Sequence, residues 1–451
     1  MVLFLTTKDL RKQLPLLLGG SLCLLGYGYL ALQSSAYGVA SLSDMYAACG
    51  TGALVCAGLW WWYGKPGRSL SLGLVVLFAV MFRLLGVVAF PVLEDDFYRY
   101  LWDGYRLVEF GSPYNSAPAE FFDADLDDRL TELLDAINYP EVATVYGPTS
   151  QWVFALGYLI APTSVTALQG IFALADLATF VLLARMAPVR LSMLYGFSPL
   201  LIKEFAFTAH PDVLGALLVV LALLCFQKRR WLLVGICAGL AVGVKVFALV
   251  VVPFLIGWQW RAWLGFIATV ILVALPFGLL EAWIPVGLQA MAGAWLFNAP
   301  LYALVSHWFA DASFTLVKLC LVGSFACLWG WFYAVWLRTW WHSGPPPIAA
   351  LPHGSLWAAF FLVIPVLNPW YLVWWLPFAV LRPSLMAWVA SVAILLSYET
   401  GINTKQAGLD LYVQPDWILL VEFGVIAIAA SIDLIRRRSS QVQDSGAAGR
   451  C

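Results

Sequence analysis

Apolar runs of membrane length recur along the whole chain, joined by short polar links. Runs at 14–32, 45–63 and 70–93 come first, each close to the roughly 20 residues that a helix needs to cross a bilayer. The longest stretch without such a run is 94–145. Within it Phe97, Tyr100, Leu101, Leu107 and Val108 fall at helical spacing while Arg99, Asp103, Arg106 and Glu109 occupy other faces. That pattern predicts an amphipathic helix lying on the membrane, stopped by Gly111 and Pro113. A second short helix is predicted over 126–137, with the acidic cluster DADLDD as its solvated start rather than a calcium loop, since it lacks EF-hand spacing and glycine. Further runs lie at about 165–185, 190–208, 212–227, 231–246, 247–259, 261–281, 313–338, 353–366, 370–381, 384–399 and 415–435. The fold class is therefore an all-α polytopic membrane protein of about 12 to 14 crossings.

Charge orients these runs. Lys8, Arg11 and Lys12 precede the first one, which at about 19 apolar residues is longer than a signal peptide's and reads as an uncleaved span. The links GKPGRS and QKRR and the arginines 436–438 then fall inside, and the acidic segment 94–145 falls outside. This distribution requires the run 146–162, bounded by Pro148 and Pro162, to be re-entrant or interfacial rather than a crossing. Four parts result: an N-terminal three-span segment (1–93), an exterior loop with juxtamembrane helices and the re-entrant piece (94–163), a transmembrane bundle (164–435) and a disordered cytoplasmic tail (436–451). The protein is expected in a bacterial inner membrane or its equivalent.

Composition narrows the class. The chain is 62% hydrophobic and 11% charged, with 23 Trp and a net charge of −1, which excludes a soluble globular protein and argues against nucleic acid as a partner. The eight cysteines sit almost entirely in apolar runs without CxxC or Cys/His spacing, so neither zinc nor a disulfide framework is indicated.

In so apolar a chain, three consecutive carboxylates, Glu94, Asp95 and Asp96, demand a reason. They can serve as an interfacial helix cap, or as a catalytic group held at the depth of a lipid phosphate by Tyr98, Tyr100, Trp102 and Tyr105, whose rings suit the headgroup region. On the topology above, Lys203, Glu204, His210, Asp212, Lys245, Asn298, His307 and Asn368 come out level with them. Ionisable groups gathered near one membrane face point to a site. For Lys203 and Glu204 mutual neutralisation is the plainer alternative, for Lys245 snorkelling, and for His210 a cap. Asp176, in mid-span, calls for a polar partner.

The order of these features is that of a family. An exterior acidic pair, the run from Tyr98 to Tyr114 with its YRYxWDG core, the turn Tyr146-Gly147-Pro148, His210-Pro211-Asp212, a Gly-rich span ending in Lys245, and Asn368-Pro369-Trp370-Tyr371 together resemble integral-membrane glycosyltransferases of the GT-C superfamily. Within it the chain is similar to polyprenyl-phosphate-mannose-dependent mannosyltransferases and to the catalytic subunit of the first mannosyltransferase of GPI assembly. The resemblance implies a GT-C-like bundle and transfer of one sugar, with inversion, from a polyprenyl-phosphate donor to a glycan or glycolipid acceptor on the exterior side. It implies that Asp95 or Asp96, with Glu94 beside them, supplies the base, and that Lys203, Lys245, His210 and Arg99 are candidates to hold the phosphate. Tyr98, Trp102, Asp103, Tyr146, Glu204, Asp212, Asn368, Trp370 and Tyr371 are the further substrate-binding candidates. No cofactor is expected, and a divalent metal is possible but not demanded by a donor with a single phosphate. The chain departs from the family in two additional leading spans, in Gly147 where the family turn has proline, and in an acidic run three residues long. Outside the family, a transporter or flippase of lipid-linked sugars would explain the spans but not the amphipathic exterior loop, and no internal repeat supports it. A glycan polymerase or ligase is the remaining alternative.

Overall fold

The computed structural model describes residues 7–37, 40–114, 116–289, 295–309, 313–404, 410 and 412–448. Those residues form helices throughout, and the only β-type pairing among them is an isolated bridge between Phe297 and Val366. Among the described residues, six helices are long and apolar enough to cross a membrane: Arg11–Ser35, Leu42–Trp62, Val165–Met186, Trp260–Phe277, Phe314–Ser343 and Asp416–Ser439. The protein is thus an all-α, multi-pass membrane protein.

Of the other expected crossings, some form single helices shorter than a span, Leu72–Val87, Trp231–Val244 and His353–Val363 among them, and some are built in pieces. The run 190–208 becomes Val189–Gly196, a single turn Pro199–Leu201 and a π-helical segment Ile202–Phe207, which bends by 118° into Asp212–Gln227. The run 247–259 divides into Val246–Val250 and Val252–Ile256, and 370–381 into Pro369–Trp374 and Leu376–Leu381. Pro199, Pro253, Pro369 and Pro377 stand at these breaks, where proline removes a backbone donor and clashes with the preceding turn. Broken backbone at membrane depth survives only where protein surrounds it, and residues 199–209 are accordingly buried throughout.

The segment 146–162 forms the helix Pro148–Ile160. Its 13 residues extend about 20 Å, short of a hydrocarbon core of about 30 Å. It packs instead along the juxtamembrane helix Asp96–Phe110. That helix ends where expected, at Gly111, whose φ of 81° suits glycine at a C-cap. Beyond it Asp127 caps the short helix Asp128–Asp135 by accepting from the Leu130 N–H at 2.9 Å. Asp176 finds its partner in Arg83, which donates from Nε at 2.9 Å and Nη2 at 2.7 Å and ties Leu72–Val87 to Val165–Met186. The last helix, Asp416–Ala448, continues through the stretch that composition assigns to a disordered tail.

Candidate active site

Leu93 precedes the three carboxylates with a φ of 61°, a conformation that a branched residue adopts only under constraint. Asp95 stands at the N-cap of Asp96–Phe110, yet its side chain makes no capping hydrogen bond. Its Oδ1 accepts instead from Asn138 Nδ2 at 2.5 Å. The cap reading therefore fails for the residue best placed to satisfy it. Asp96 Oδ2 lies 3.4 Å from the Tyr100 hydroxyl and 3.3 Å from that of Tyr146. One oxygen from each of Glu94, Asp95 and Asp96 falls within 4.8 Å of the others, so together they could hold a divalent cation. Burial and the neighbouring Asp96 push the Asp95 carboxyl up to about 6. Glu94 is raised further by its own burial, against the pull of Lys203.

Across from the carboxylates, the turn Tyr146-Gly147-Pro148 docks on the end of the helix Trp231–Val244. A Cβ on Gly147 would come within 2.3 Å of the Gly243 carbonyl oxygen, and Ser150 Oγ donates to the Val244 carbonyl at 3.2 Å. This close approach explains glycine at 147 and sets Tyr146 beside Lys245. Lys245 Nζ pairs with Asp212 at 3.1 Å and lies 3.8 Å from the centre of the Tyr371 ring. Asp212 also accepts from Trp374 Nε1 at 2.8 Å, and Asn368 Nδ2 donates to the Tyr371 hydroxyl at 3.4 Å. Asp96 is close enough to Tyr371 for its charge to be felt there, which closes the ring of residues.

A second cluster sits beside the first. Lys203 and Glu204, both in the π-helical segment, are 3.3 Å apart and wholly buried. The Tyr398 hydroxyl donates to Glu204 Oε1 at 3.0 Å and contacts Lys203 Nζ. His210 Nδ1 lies 3.0 Å from Glu204 Oε2, and its ring stacks on Trp370 at 3.7 Å. Lys203 and Glu204 act electrostatically on Glu94, so the acidic run touches both clusters.

Some candidates lie elsewhere. Arg99 donates to the carbonyls of Val142 at 2.8 Å and Tyr139 at 3.1 Å, clamping the loop that follows its helix rather than joining the other cations. Asp103 is buried, accepting from Gln151 at 2.9 Å and from Thr144. Trp102 is buried against Tyr105 and Phe121. Tyr98 stacks on Phe97 behind the carboxylates. These four bear on the loop's shape. Tyr100, Asn138, Trp374 and Tyr398 join the site without having been singled out for it. Tyr398, a polar group near the end of an apolar run like the other polar candidates, carried a usable signal, whereas Asn138 meets Asp95 across 43 positions of chain and carried none.

The site thus gathers carboxylates with a raised affinity for protons, lysines and aromatic rings in a multi-pass membrane protein. Residues 27–262, a little over half of the chain, match the family model described as alpha-(1->6)-mannopyranosyltransferase, N-terminal domain, and the chain belongs to that family, MptA_B. It is a membrane glycosyltransferase of a mannosyltransferase family, in keeping with the GT-C resemblance. The matched region includes the carboxylates, Tyr146, Lys203, His210, Asp212 and Lys245, and stops short of Asn368–Tyr371. No curated protein and no solved structure matches the chain.

Proposed function

We propose that the protein transfers one mannosyl residue from a polyprenyl-phosphate donor to a hydroxyl of a glycan or glycolipid acceptor on the exterior side of the membrane. The family's description makes an α-(1→6) linkage the natural product. The observation that carries the reading is the ring formed by Asp96, Tyr146, Tyr371, Lys245 and Asp212 beside Asp95. It brings proton acceptors, a cation and aromatic rings into one cluster, and such rings suit a sugar's apolar face.

In this reaction the acceptor oxygen attacks the anomeric carbon as the bond from that carbon to the phosphate oxygen breaks, inverting the centre. Asp95 or Asp96 takes the acceptor's proton, and the polyprenyl phosphate leaves with the bonding electrons. Lys245 stabilises the charge that builds on the phosphate, an interaction that strengthens toward the transition state and so accelerates transfer. Burial lifts the Asp95 carboxyl toward neutrality, which makes it a better base than a free aspartate. The proposed mechanism uses no metal. Loss of transfer on chelation, restored by Mg2+ or Mn2+, would instead make Glu94, Asp95 and Asp96 ligands.

The test is transfer from polyprenyl-phosphate mannose in membranes holding matched amounts of wild type, Asp95→Asn and Asp96→Asn. Asparagine keeps the size of aspartate and caps a helix equally well, but it cannot accept the proton. At least one variant should lose transfer by about 10²- to 10⁴-fold, the contribution of a general base. If both stay within about threefold of wild type, the carboxylates are structural and the reading falls.

A further inference from the structure

A cavity of about 890 Å³ opens between Leu42–Trp62, Val189–Gly196, Leu385–Ala393 and the last helix. One wall carries Tyr46, Cys49, Ala53, Cys56, Ala57 and Trp60 of a single helix, so the groove follows that helix for about 21 Å at 1.5 Å per residue. The last helix lines it from Val421 to Arg437, a similar length. Tyr46 is near enough to Glu422 for the two to interact electrostatically, which brings these two walls together toward their N-terminal ends. Fourteen residues on from this pair, the groove ends at Trp60 on one side and Arg436 on the other. Arg190 stacks on Trp60 at 3.6 Å, which adds a third cation to Arg436 and Arg437 at this end. Asp433, the acidic residue at the same end, is engaged with Ser384 Oγ at 3.1 Å and the Met386 N–H at 3.0 Å.

An apolar trough longer than the roughly 15 Å of one leaflet, closed at one end by arginines, has the form of a phospholipid. We propose that this groove binds an anionic phospholipid, its acyl chain along Ala53, Ala57 and Leu395 and its phosphate at Arg436 and Arg437. The volume lies within the roughly 300–1,000 Å³ of small-ligand sites. Arginine suits the role because its planar fork meets a phosphate with two parallel hydrogen bonds. The headgroup end is the one rich in cations, where anionic lipid is attracted to basic residues beside a span. None of the residues involved belongs to the carboxylate site, so this proposal stands apart from the transfer reaction.

The test uses the full chain purified in a mild detergent, titrated with phosphatidylglycerol or phosphatidylcholine while thermal unfolding is followed. Phosphatidylglycerol should raise the wild-type Tm, and phosphatidylcholine should raise it much less. The double variant Arg436→Ala/Arg437→Ala should need about 100-fold more phosphatidylglycerol for the same rise, since removing each arginine–phosphate hydrogen bond weakens binding about tenfold or more. Ala57→Trp, which fills the trough, should abolish the rise while its Tm without added lipid stays at the wild-type value. An equal response to both lipids, or a double variant that titrates like wild type, overturns the proposal. So does native mass spectrometry in which the wild type retains polyprenyl phosphate in place of anionic phospholipid.

Discussion

The two lysine–carboxylate pairs of the site differ in one physical respect. Lys203 and Glu204 are sealed, with no exposure on either side chain, and are held by Tyr398 and His210. Lys245 keeps 22% of its side chain exposed while Asp212 behind it keeps 2%. A charge that must receive a phosphate has to be reached by it, and a charge already neutralised by a bonded partner in a sealed pocket gains little from a second anion. On the proposed function, the comparison divides labour that residue type alone could not: Lys245 would meet the donor and Lys203 would hold the broken helix together. It divides the acidic run too, since Asp96 faces the first pair through Tyr146 and Tyr371 while Glu94 faces the second.

The largest effect that could break this division is on the carboxylates. With the loss at Asp95 or Asp96 of about 10²- to 10⁴-fold in transfer, Glu94→Gln should retain most of the activity, because Glu94, though beside both aspartates, is the one of the three on which the sealed Lys203 acts most strongly. Rates measured at equal protein in the same membranes decide this. A Glu94→Gln enzyme as inactive as the aspartate variants would place the base on the sealed side.

The lysines come next. Lys203→Met leaves Glu204 buried without its cation, a change worth about 3–5 kcal/mol, and should appear as lower yield or lower Tm. Lys245→Ala removes a partly exposed cation and should leave Tm near wild type. Donor handling should fall by roughly 10- to 150-fold, the worth of a charge-assisted hydrogen bond of about 1.5–3 kcal/mol. Interchanged phenotypes, with Lys203→Met folded but blind to donor, would reverse the assignment.

How much of this was legible in the residues depends on how far apart in the chain the partners lie. The juxtamembrane helix and its stop at Gly111 follow from local periodicity and one glycine, and they stand as expected. The count of crossings was legible only as apolar length, and length is blind to where a run breaks. Pro199, Pro253 and Pro377 stand where runs divide into pieces too short to span alone, and other runs form single short helices, so among the described residues six unbroken helices are long enough where about 12 to 14 crossings were expected. In the site, the reading by depth grouped Lys203, Glu204, His210, Asp212, Lys245, Asn298, His307 and Asn368, because the cost of burying charge sorts residues by level; Lys203, Glu204, His210, Asp212, Lys245 and Asn368 fall in the two clusters, whereas Asn298 bonds to Glu422. Depth does not say which way a side chain turns. Arg99 and Asp103 share the level of the carboxylates and turn instead to the loop at 139–144 and to Gln151.

The smallest effect sharpens the comparison within the acidic run, and it concerns pH. Burial and Asp96 raise the Asp95 carboxyl to about 6, while the hydrogen bond from Asn138 pulls in the opposite direction. If Asp95 is the base, transfer needs it ionised, so kcat/KM should fall tenfold per pH unit below about 6. Stability should move with the opposite sign. The folded state holds its proton more tightly than the unfolded chain, whose carboxyl titrates near 3.8, so this residue's contribution declines as pH rises through the interval from there to about 6. Asn138→Ala removes the side-chain hydrogen bond that favours the ionised form, so the activity limb should shift upward, by about half to one pH unit for a hydrogen bond of roughly 0.5–1.5 kcal/mol. The maximal rate at high pH should change little, because Asn138 acts on the proton affinity of Asp95, whereas a purely structural role would lower the rate at every pH alike. A limb that keeps its midpoint in Asn138→Ala would transfer the base to Asp96, whose partners are Tyr100 and Tyr146.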